Sequence, residues 1–183
     1  MDSKTLKIPT TLSLSLLFFL FLFSSSTKAQ TSSPSNILVD KICKKTLDNT
    51  KCLAALESDP RSKTATSLKA LAKISVQLSI SNAKGSLNFI NDEIKKGSGS
   101  GQQEVLEQCA SSYKAMVLSF SSALEELDED VMTANYDIKV AGDDADLCQA
   151  EMASKKVEIP SLADRNDQVK LYSNIGFVIT DKL

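Results

Sequence analysis

Four cysteines, Cys43, Cys52, Cys109 and Cys148, are the residues whose type and spacing could do chemistry in this 183-residue chain. Thiols can pair, hold zinc or act as nucleophiles. The chain has no His, which excludes Ser-His-Asp and Cys-His catalysis and any His-ligated metal. A zinc site built from the four sulfurs is the rival to pairing. Cysteines spaced 9, 57 and 39 residues apart are far from the short ligand spacings of structural zinc sites. An even cysteine count reads as two disulfides, for which three connectivities exist.

Further candidates are acidic. Glu125, Glu126, Asp128, Glu129 and Asp130 form one run, and Asp143, Asp144 and Asp146 form another. Nothing marks two of the first group as an acid/base pair, so they read as a solvated helix end, although a helix C-terminus disfavours negative charge. The aspartates of the second group lie in a helical pattern without a Glu at calcium-loop spacing, and read as a solvated face. Gly97-Ser98-Gly99-Ser100-Gly101 lacks the spacing and the preceding strand of a dinucleotide fingerprint and reads as a flexible connector. Serines are many, and none has a base partner. The residues therefore point to a protein that binds rather than reacts, with no catalytic residue, cofactor or metal.

Helices must position the cysteines. Cys109 belongs to the series Leu106, Cys109, Tyr113, Met116, Phe120, Leu124 and Leu127; Cys148 belongs to Ala134, Ile138, Ala141, Ala145, Cys148 and Met152. Steps of three and four put each set on one helix face. The midpoint of the two cysteines falls within Asp128-Glu129-Asp130, which offers nothing to bury. A reversal there makes a helical hairpin, Gln103 to Met152, with the sulfurs level on antiparallel helices, as a disulfide needs. Cys43 and Cys52 likewise bracket the turn signal Leu47-Asp48-Asn49-Thr50. The pairing predicted is Cys43–Cys52 and Cys109–Cys148. Closing these loops stabilises the fold by about 2.7 and about 3.9 kcal/mol in the chain-entropy model.

The other elements follow from the same periodicity. Ser35 is the predicted cap of a short helix with Ile37, Leu38, Ile42 and Cys43, and Lys51 to Leu56 runs back from it. This N-terminal hairpin is too short to bury its own apolar face. It must dock on the rest of the chain or on a neighbour, so a homodimer is one outcome. Asp59-Pro60-Arg61-Ser62 ends it. Thr66 is the predicted cap of a long helix to Lys95, with the stripe Ala72, Val76, Ile80, Ala83, Leu87, Ile90, Ile94. Gly142 interrupts the second helix of the central hairpin at some cost. Asp164-Arg165-Asn166-Asp167 resembles a capping box for a last helix with Val169, Tyr172, Ile175, Ile179 and Leu183. The fold class is all-α: an up-down-up-down four-helix bundle preceded by a helical hairpin, with two disulfides.

Residues 1–29 read as a secretory signal peptide. Lys4 and Lys7 precede the apolar core Leu12 to Phe23, which is too short to span a bilayer comfortably, and Thr27-Lys28-Ala29 offers small residues for cleavage before Gln30. The mature chain, 30–183, suits one domain: a hairpin over 30–62 and a bundle over 63–183. Lys4, Lys7, Lys28 and Asp2 leave with the leader, so 18 basic and 22 acidic residues remain of 21 and 23, net −4. That balance suggests neither a nucleic acid nor an anionic membrane surface as partner. No Asn-x-Ser/Thr sequon occurs.

Ile42-Cys43-Lys44-Lys45-Thr46, Cys52-Leu53, Leu56-Glu57-Ser58-Asp59-Pro60-Arg61-Ser62, Glu107-Gln108-Cys109-Ala110-Ser111-Ser112-Tyr113 and the segment Tyr136 through Cys148 together resemble the plant invertase and pectin methylesterase inhibitors. The similarity covers nearly the whole mature chain. Tyr136 to Asp146 and Val169 to Thr180 are most similar to the invertase inhibitors of the pollen-allergen-like branch. The resemblance implies disulfides between the first and second and the third and fourth cysteines, and a four-helix bundle behind a helical hairpin. It implies a secreted protein, in the apoplast or the vacuole, that blocks a carbohydrate enzyme by one-to-one binding. The target would be an acid invertase, or alternatively a pectin methylesterase. Invertase inhibitors of this family carry Pro-Lys-Phe in the loop before the helix of the fourth cysteine. Counted back from Cys148, the matching positions are Val131, Met132 and Thr133, the candidate partner contacts, and none of the three motif residues is kept. A receptor-binding helical ligand is the reading from another class, and its long crossover loops do not match the short connections here.

Overall fold

The computed structural model describes residues 36–97 and 99–183. The leader, the Ser/Thr-rich segment up to Ser35, and Ser98 lie outside the described residues. Among the described residues there is no strand, and no helix is long and apolar enough to cross a membrane.

The chain begins with a stapled hairpin. Helix α1, Ile37–Cys43, is capped by Asn36, whose Oδ1 accepts from Leu38 N at 2.8 Å. The predicted cap Ser35 lies outside the described residues, and Asn36 takes the role. Helix α2, Asn49–Glu57, is capped by Asp48, which accepts from Lys51 N at 2.9 Å. Asp59-Pro60 does not simply end the hairpin. It opens a one-turn helix, α3, Pro60–Thr64, with the proline at the first position, where a missing N–H costs nothing. Asn36 also ties the start of α1 to the end of α3, since Nδ2 donates to the carbonyls of Ser62, Lys63 and Ala65.

Four long helices follow: α4, Leu68–Lys96; α5, Ser100–Glu129; α6, Val131–Ser154; and α7, Pro160–Thr180. Packing runs in a ring, α4 on α5, α5 on α6, α6 on α7 and α7 back on α4. Neighbours run in opposite directions. Lys69 near the start of α4 meets Asp128 near the end of α5. Glu104 at the start of α5 meets Lys155 just past α6. Asn135 at the start of α6 meets Thr180 at the end of α7. The hairpin docks within the chain: α1 and α2 lie on α7, and α1 and α3 touch α4. Leu47 N, at the hairpin tip, donates to Asn174 Oδ1 of α7 at 3.0 Å.

Several sequence expectations shift. Ser67, not Thr66, caps α4, accepting from Ala70 N at 3.1 Å. The buried stripe of α4 runs through Ala72, Val76, Ser79, Ala83, Ser86 and Ile90, while Ile80 and Leu87 are half-buried at its edge. Small serines let α4 sit close to its neighbours, and Ser79 satisfies its hydroxyl on Ser75 O. The glycine connector is shorter than predicted, because α5 begins at Ser100; Gly97, at φ 75°, stops α4. The last helix starts at Pro160, so 164–167 are interior to it and cap nothing. Leu183 lies beyond α7 and is exposed. Of the apolar residues of α1, Ile37 is exposed, while Val39, Ile42 and Cys43 are buried. Gly142 leaves α6 unbroken. The core series of α5 and α6 are buried throughout, except that Leu124 is half-buried.

Candidate functional site

The reversal between α5 and α6 is tighter than an acidic stretch of three. Asp128 and Glu129 are helical, and Asp130 alone lies outside both helices. Its φ of −143° and ψ of 97° turn the chain, and the one residue ends α5 and caps α6. Oδ1 accepts from Met132 N at 3.0 Å and Thr133 N at 3.3 Å, and Oδ2 accepts from Thr133 Oγ1 at 2.8 Å. The bond from the Thr133 hydroxyl, followed by that from its amide, holds the Asp130 carboxyl below the usual carboxylate range. Negative charge here faces the positive end of the α6 dipole.

Asp128 is not simply solvated. Lys73 Nζ lies 2.6 Å from Oδ2 and Lys69 Nζ 3.1 Å from Oδ1, both reaching over from α4. These two ammonium groups, Lys73 first, hold the Asp128 carboxyl down. They also offset the cost of an acid near a helix C-terminus.

Val131, Met132 and Thr133 therefore form the first turn of a helix, not a loop. A carboxylate at the N-cap freezes them there. Val131 is half-buried, Thr133 is exposed, and Met132 is 84% exposed. One turn on, Tyr136 is 66% exposed. Beside them an open cleft of about 550 Å³ lies between α6 and α7, lined by Glu129, Val131, Met132, Asn135, Thr180 and Leu183. Further along the same two helices a second groove, about 340 Å³, is lined by Leu47, Lys139, Gly142, Asp143, Lys170 and Phe177. Exposed Met, Tyr and Phe are residue types favoured at interface cores. The sequence places Leu47 in a turn signal and Tyr136 at the start of the family-like segment, but marks neither of them, nor Phe177, as a surface contact. For Tyr136 a signal exists: it falls off the Ala134–Ile138 stripe and so points away from the core.

The cysteines pair within the core. Cys43–Cys52 has Cα atoms 5.4 Å apart and Cys109–Cys148 4.8 Å apart. All four are fully buried, so they brace the surface without forming it. Cys148 is seventeen residues along α6 from Val131, about 25 Å at 1.5 Å per residue.

Around the second disulfide the bundle holds a polar thread. Arg165 Nη1 donates to Ser86 Oγ at 3.4 Å, and the Arg165 guanidinium lies 4.3 Å over the Phe89 ring. Tyr113 Oη donates to Asn166 Oδ1 at 2.9 Å. Asn166 Nδ2 donates to Gln149 Oε1 and to Cys148 Sγ. All four bundle helices contribute. Burial pushes the Tyr113 phenol well above its ordinary pKa, the hydroxyl of Ser86 and the charge of Arg165 opposing it, so it stays a donor.

The other acidic group, Asp143, Asp144 and Asp146, is spread over ion pairs. Asp143 meets Lys139 at 2.9 Å and Asp146 meets Lys170 at 2.8 Å. Partial burial, helped by the neighbouring Asp143, raises the Asp144 carboxyl. The buried hydroxyls of Ser79 and Ser173 are spent on carbonyls, Ser79 on Ser75 O at 2.9 Å and Ser173 on Ile138 O at 2.8 Å. The arrangement offers a helical surface with two clefts along α6 and α7.

Comparison with known proteins agrees with that architecture. The family model described as plant invertase/pectin methylesterase inhibitor matches residues 37–176. The chain is 29% identical over 136 residues to the cell wall / vacuolar inhibitor of fructosidase 2 of Arabidopsis thaliana, covering 73% of this chain and 75% of that protein. It is 28% identical over 137 residues to the pectinesterase inhibitor of Actinidia deliciosa, covering 74% of each. Among solved structures, a mutant form of a pectin methylesterase inhibitor from Arabidopsis superposes with a TM-score of 0.71 at 26% identity, over 79% of this chain and 96% of that one. A pectin methylesterase inhibitor from Arabidopsis thaliana superposes with a TM-score of 0.62 at 24% identity, over 80% and 95%. With the family pattern matched from the first residue of α1 to Gly176 of α7, the chain belongs to the plant invertase/pectin methylesterase inhibitor family.

Proposed function

We propose that this chain is a secreted protein inhibitor that binds and blocks a plant carbohydrate-active enzyme, an acid invertase, and is not itself an enzyme. The observation that carries the reading is the family match over 37–176, which spans both disulfides and all four bundle helices. A relative named as an inhibitor of fructosidase supports the choice of target. The contact begins at Val131, Met132 and Thr133, where the Asp130 cap holds an exposed methionine in one place. A surface ordered before it docks loses little entropy on docking.

A pectin methylesterase is the second reading. Two observations favour it: 131–133 keep no residue of Pro-Lys-Phe, and the solved relatives are named as inhibitors of that enzyme.

Within the proposal, residues 1–29 are the signal peptide and 30–183 the inhibitor domain, with the hairpin over 30–62 and the bundle over 63–183. The inhibitor acts one-to-one in the apoplast, or in the vacuole, with no membrane attachment after cleavage and no nucleic acid partner. Since α1 and α2 dock on α7 of the same chain, a homodimer needs some other surface or an exchange of hairpins.

The test is a titration of the oxidised mature chain against an acid invertase and, separately, a pectin methylesterase. Activity of one of them should fall to a plateau near one inhibitor per enzyme. If both enzymes keep full activity at excess inhibitor, the proposal is wrong.

A further inference from the structure

The helix that carries the candidate contacts is held by very little bulk. Its buried side offers Ala134, Ala141 and Ala145 and only one large aliphatic residue, Ile138, before Cys148. Small residues alone leave a helix free to slide or roll on its neighbours. On α6 that freedom is removed by a seam along α7. Asn135 Nδ2 donates to Phe177 O at 3.2 Å and Thr180 Oγ1 at 2.8 Å. Ser173 Oγ donates to Ile138 O at 2.8 Å. Lys170 pairs with Asp146 at 2.8 Å. Asn166 reaches Gln149 and Cys148. On α7 the locks step by three or four, at 166, 170, 173, 177 and 180; on α6 they stand at 135, 138, 146 and 149, with a gap of eight between the second and third that Gly142 divides evenly.

Two glycines close the gap between the locks. A Cβ on Gly142 would stand 2.5 Å from Ser173 Oγ and 3.0 Å from its Cβ; one on Gly176 would stand 3.1 Å from Ile138 Cγ2. Neither glycine has a positive φ, so their use is close approach and not backbone freedom. A glycine inside a helix lowers its propensity, and here the loss is offset by contact.

We infer that Gly142 and Ser173 are positioning residues for partner binding: their contact sets the height and rotation of α6 on α7, and so where Met132, Thr133 and Tyr136 stand on the surface. This rests on the reading that the start of α6 touches the target enzyme. Ser173 is buried and itself touches no partner.

Two readouts test it. The first needs no enzyme: spin labels on unnatural residues at positions 133 and 181, with the four cysteines left paired, report the spacing of α6 and α7 by double electron–electron resonance. Gly142→Ala should lengthen or broaden that distance by about 1 Å, the amount that restores van der Waals contact. Gly142→Ala/Ser173→Gly, which vacates both crowded atoms, should bring it back. Gly176→Ala, a milder clash, should move it in the same sense and serves if Gly142→Ala does not fold. The second readout is inhibition of whichever enzyme the wild type blocks. The half-inhibiting concentration should rise about tenfold for Gly142→Ala and recover to within about threefold in the double variant. A control in α4, Val76→Ala, with the same loss of melting temperature should inhibit like the wild type. An unchanged distance in Gly142→Ala and Gly176→Ala overturns the seam. A changed distance with unchanged inhibition, or with equal loss in the control, overturns the positioning role. A wild type that inhibits neither enzyme removes the functional reading and the positioning role with it, while the distance result still decides the seam.

Discussion

The phenol of Tyr113 on α5 donates to Oδ1 of Asn166 on α7 at 2.9 Å, and neither residue has any exposed surface. This bond crosses the ring of helices, whose main packing is between neighbours. A buried acceptor that loses its donor keeps its desolvation cost. Tyr113→Phe should therefore lower stability by about 1–3 kcal/mol, seen as a lower urea midpoint at unchanged slope. In an Asn166→Leu background the same change should cost less, because no acceptor is left stranded. A double-mutant cycle should return a coupling of about 0.5–3 kcal/mol, whereas additive costs would mean that the bond contributes nothing of its own.

The two disulfides should differ in worth. Replacing Cys43 and Cys52 together by Ala opens a loop with a sequence separation of 9, and replacing Cys109 and Cys148 opens one of 39. The expected losses are about 2.7 and about 3.9 kcal/mol. The first should also expose α1 and α2 to hydrogen exchange before the bundle, since the hairpin has fewer buried residues of its own. The second should free the Tyr113–Asn166 thread from its sulfur acceptor and raise exchange in α6 and α7. Chemical denaturation with exchange read by mass spectrometry measures both. Equal losses, or a hairpin that opens last, would contradict the ordering.

Much of this was legible in the sequence, and the limits have physical reasons. The faces of α5 and α6 were readable because Leu106, Cys109, Tyr113, Met116 and Phe120 are large and regularly spaced. Apolar spacing draws the stripe of α4 along Ile80 and Leu87, yet Ser79 and Ser86 are the buried residues. Hydrophobicity ranks a serine as outward, but its size suits a close helix contact and its hydroxyl bonds to a carbonyl or to Arg165. Caps moved by one residue, from Ser35 to Asn36 and from Thr66 to Ser67, because adjacent residues of similar cap preference compete. The candidate contact residues were named by position, but their form was not: Asp130 makes a one-residue turn that turns an expected loop into a helix start. The seam of Gly142 and Ser173 could not be read at all, since it depends on which face of α7 meets α6.

Acid should loosen the α4–α5 pairing in a defined direction. Lys73 and Lys69 hold the Asp128 carboxyl below its ordinary pKa in the folded chain. A group whose folded pKa is depressed stabilises the fold above its unfolded pKa, about 3.9, and that contribution is lost as pH falls through the folded value. Melting temperature should thus be level from neutral pH down to about 4 for this pair and then drop. Asp128→Asn should melt lower than wild type at neutral pH, and the two should converge below about pH 3. The difference should also shrink at high salt, because the carboxylate and both ammonium groups are exposed. A gap between the two proteins that widens as pH falls would show the sign to be wrong.

The start of α6 can accept Pro-Lys-Phe, and that makes the choice of target testable by gain of function. Val131 is the first residue of α6, the position at which a proline's missing N–H is harmless. The two amides that Asp130 Oδ1 caps belong to Met132 and Thr133, so Val131→Pro removes no bond to the cap. Asp130, which would precede the proline, already has the extended backbone that a proline demands of the residue before it, φ −143° and ψ 97°. Met132→Lys places an ammonium where the side chain is most exposed. Thr133→Phe gives up only the hydroxyl bond to Asp130 Oδ2. The triple variant Val131→Pro/Met132→Lys/Thr133→Phe should therefore keep its helicity and both disulfides. If the start of α6 is the part that meets an acid invertase, the half-inhibiting concentration against that enzyme should fall by about tenfold or more, the worth of one well-placed interface residue. Inhibition of a pectin methylesterase should not improve. An invertase indifferent to the folded triple variant would place its contact elsewhere on the bundle, and Val131, Met132 and Thr133 would lose their role.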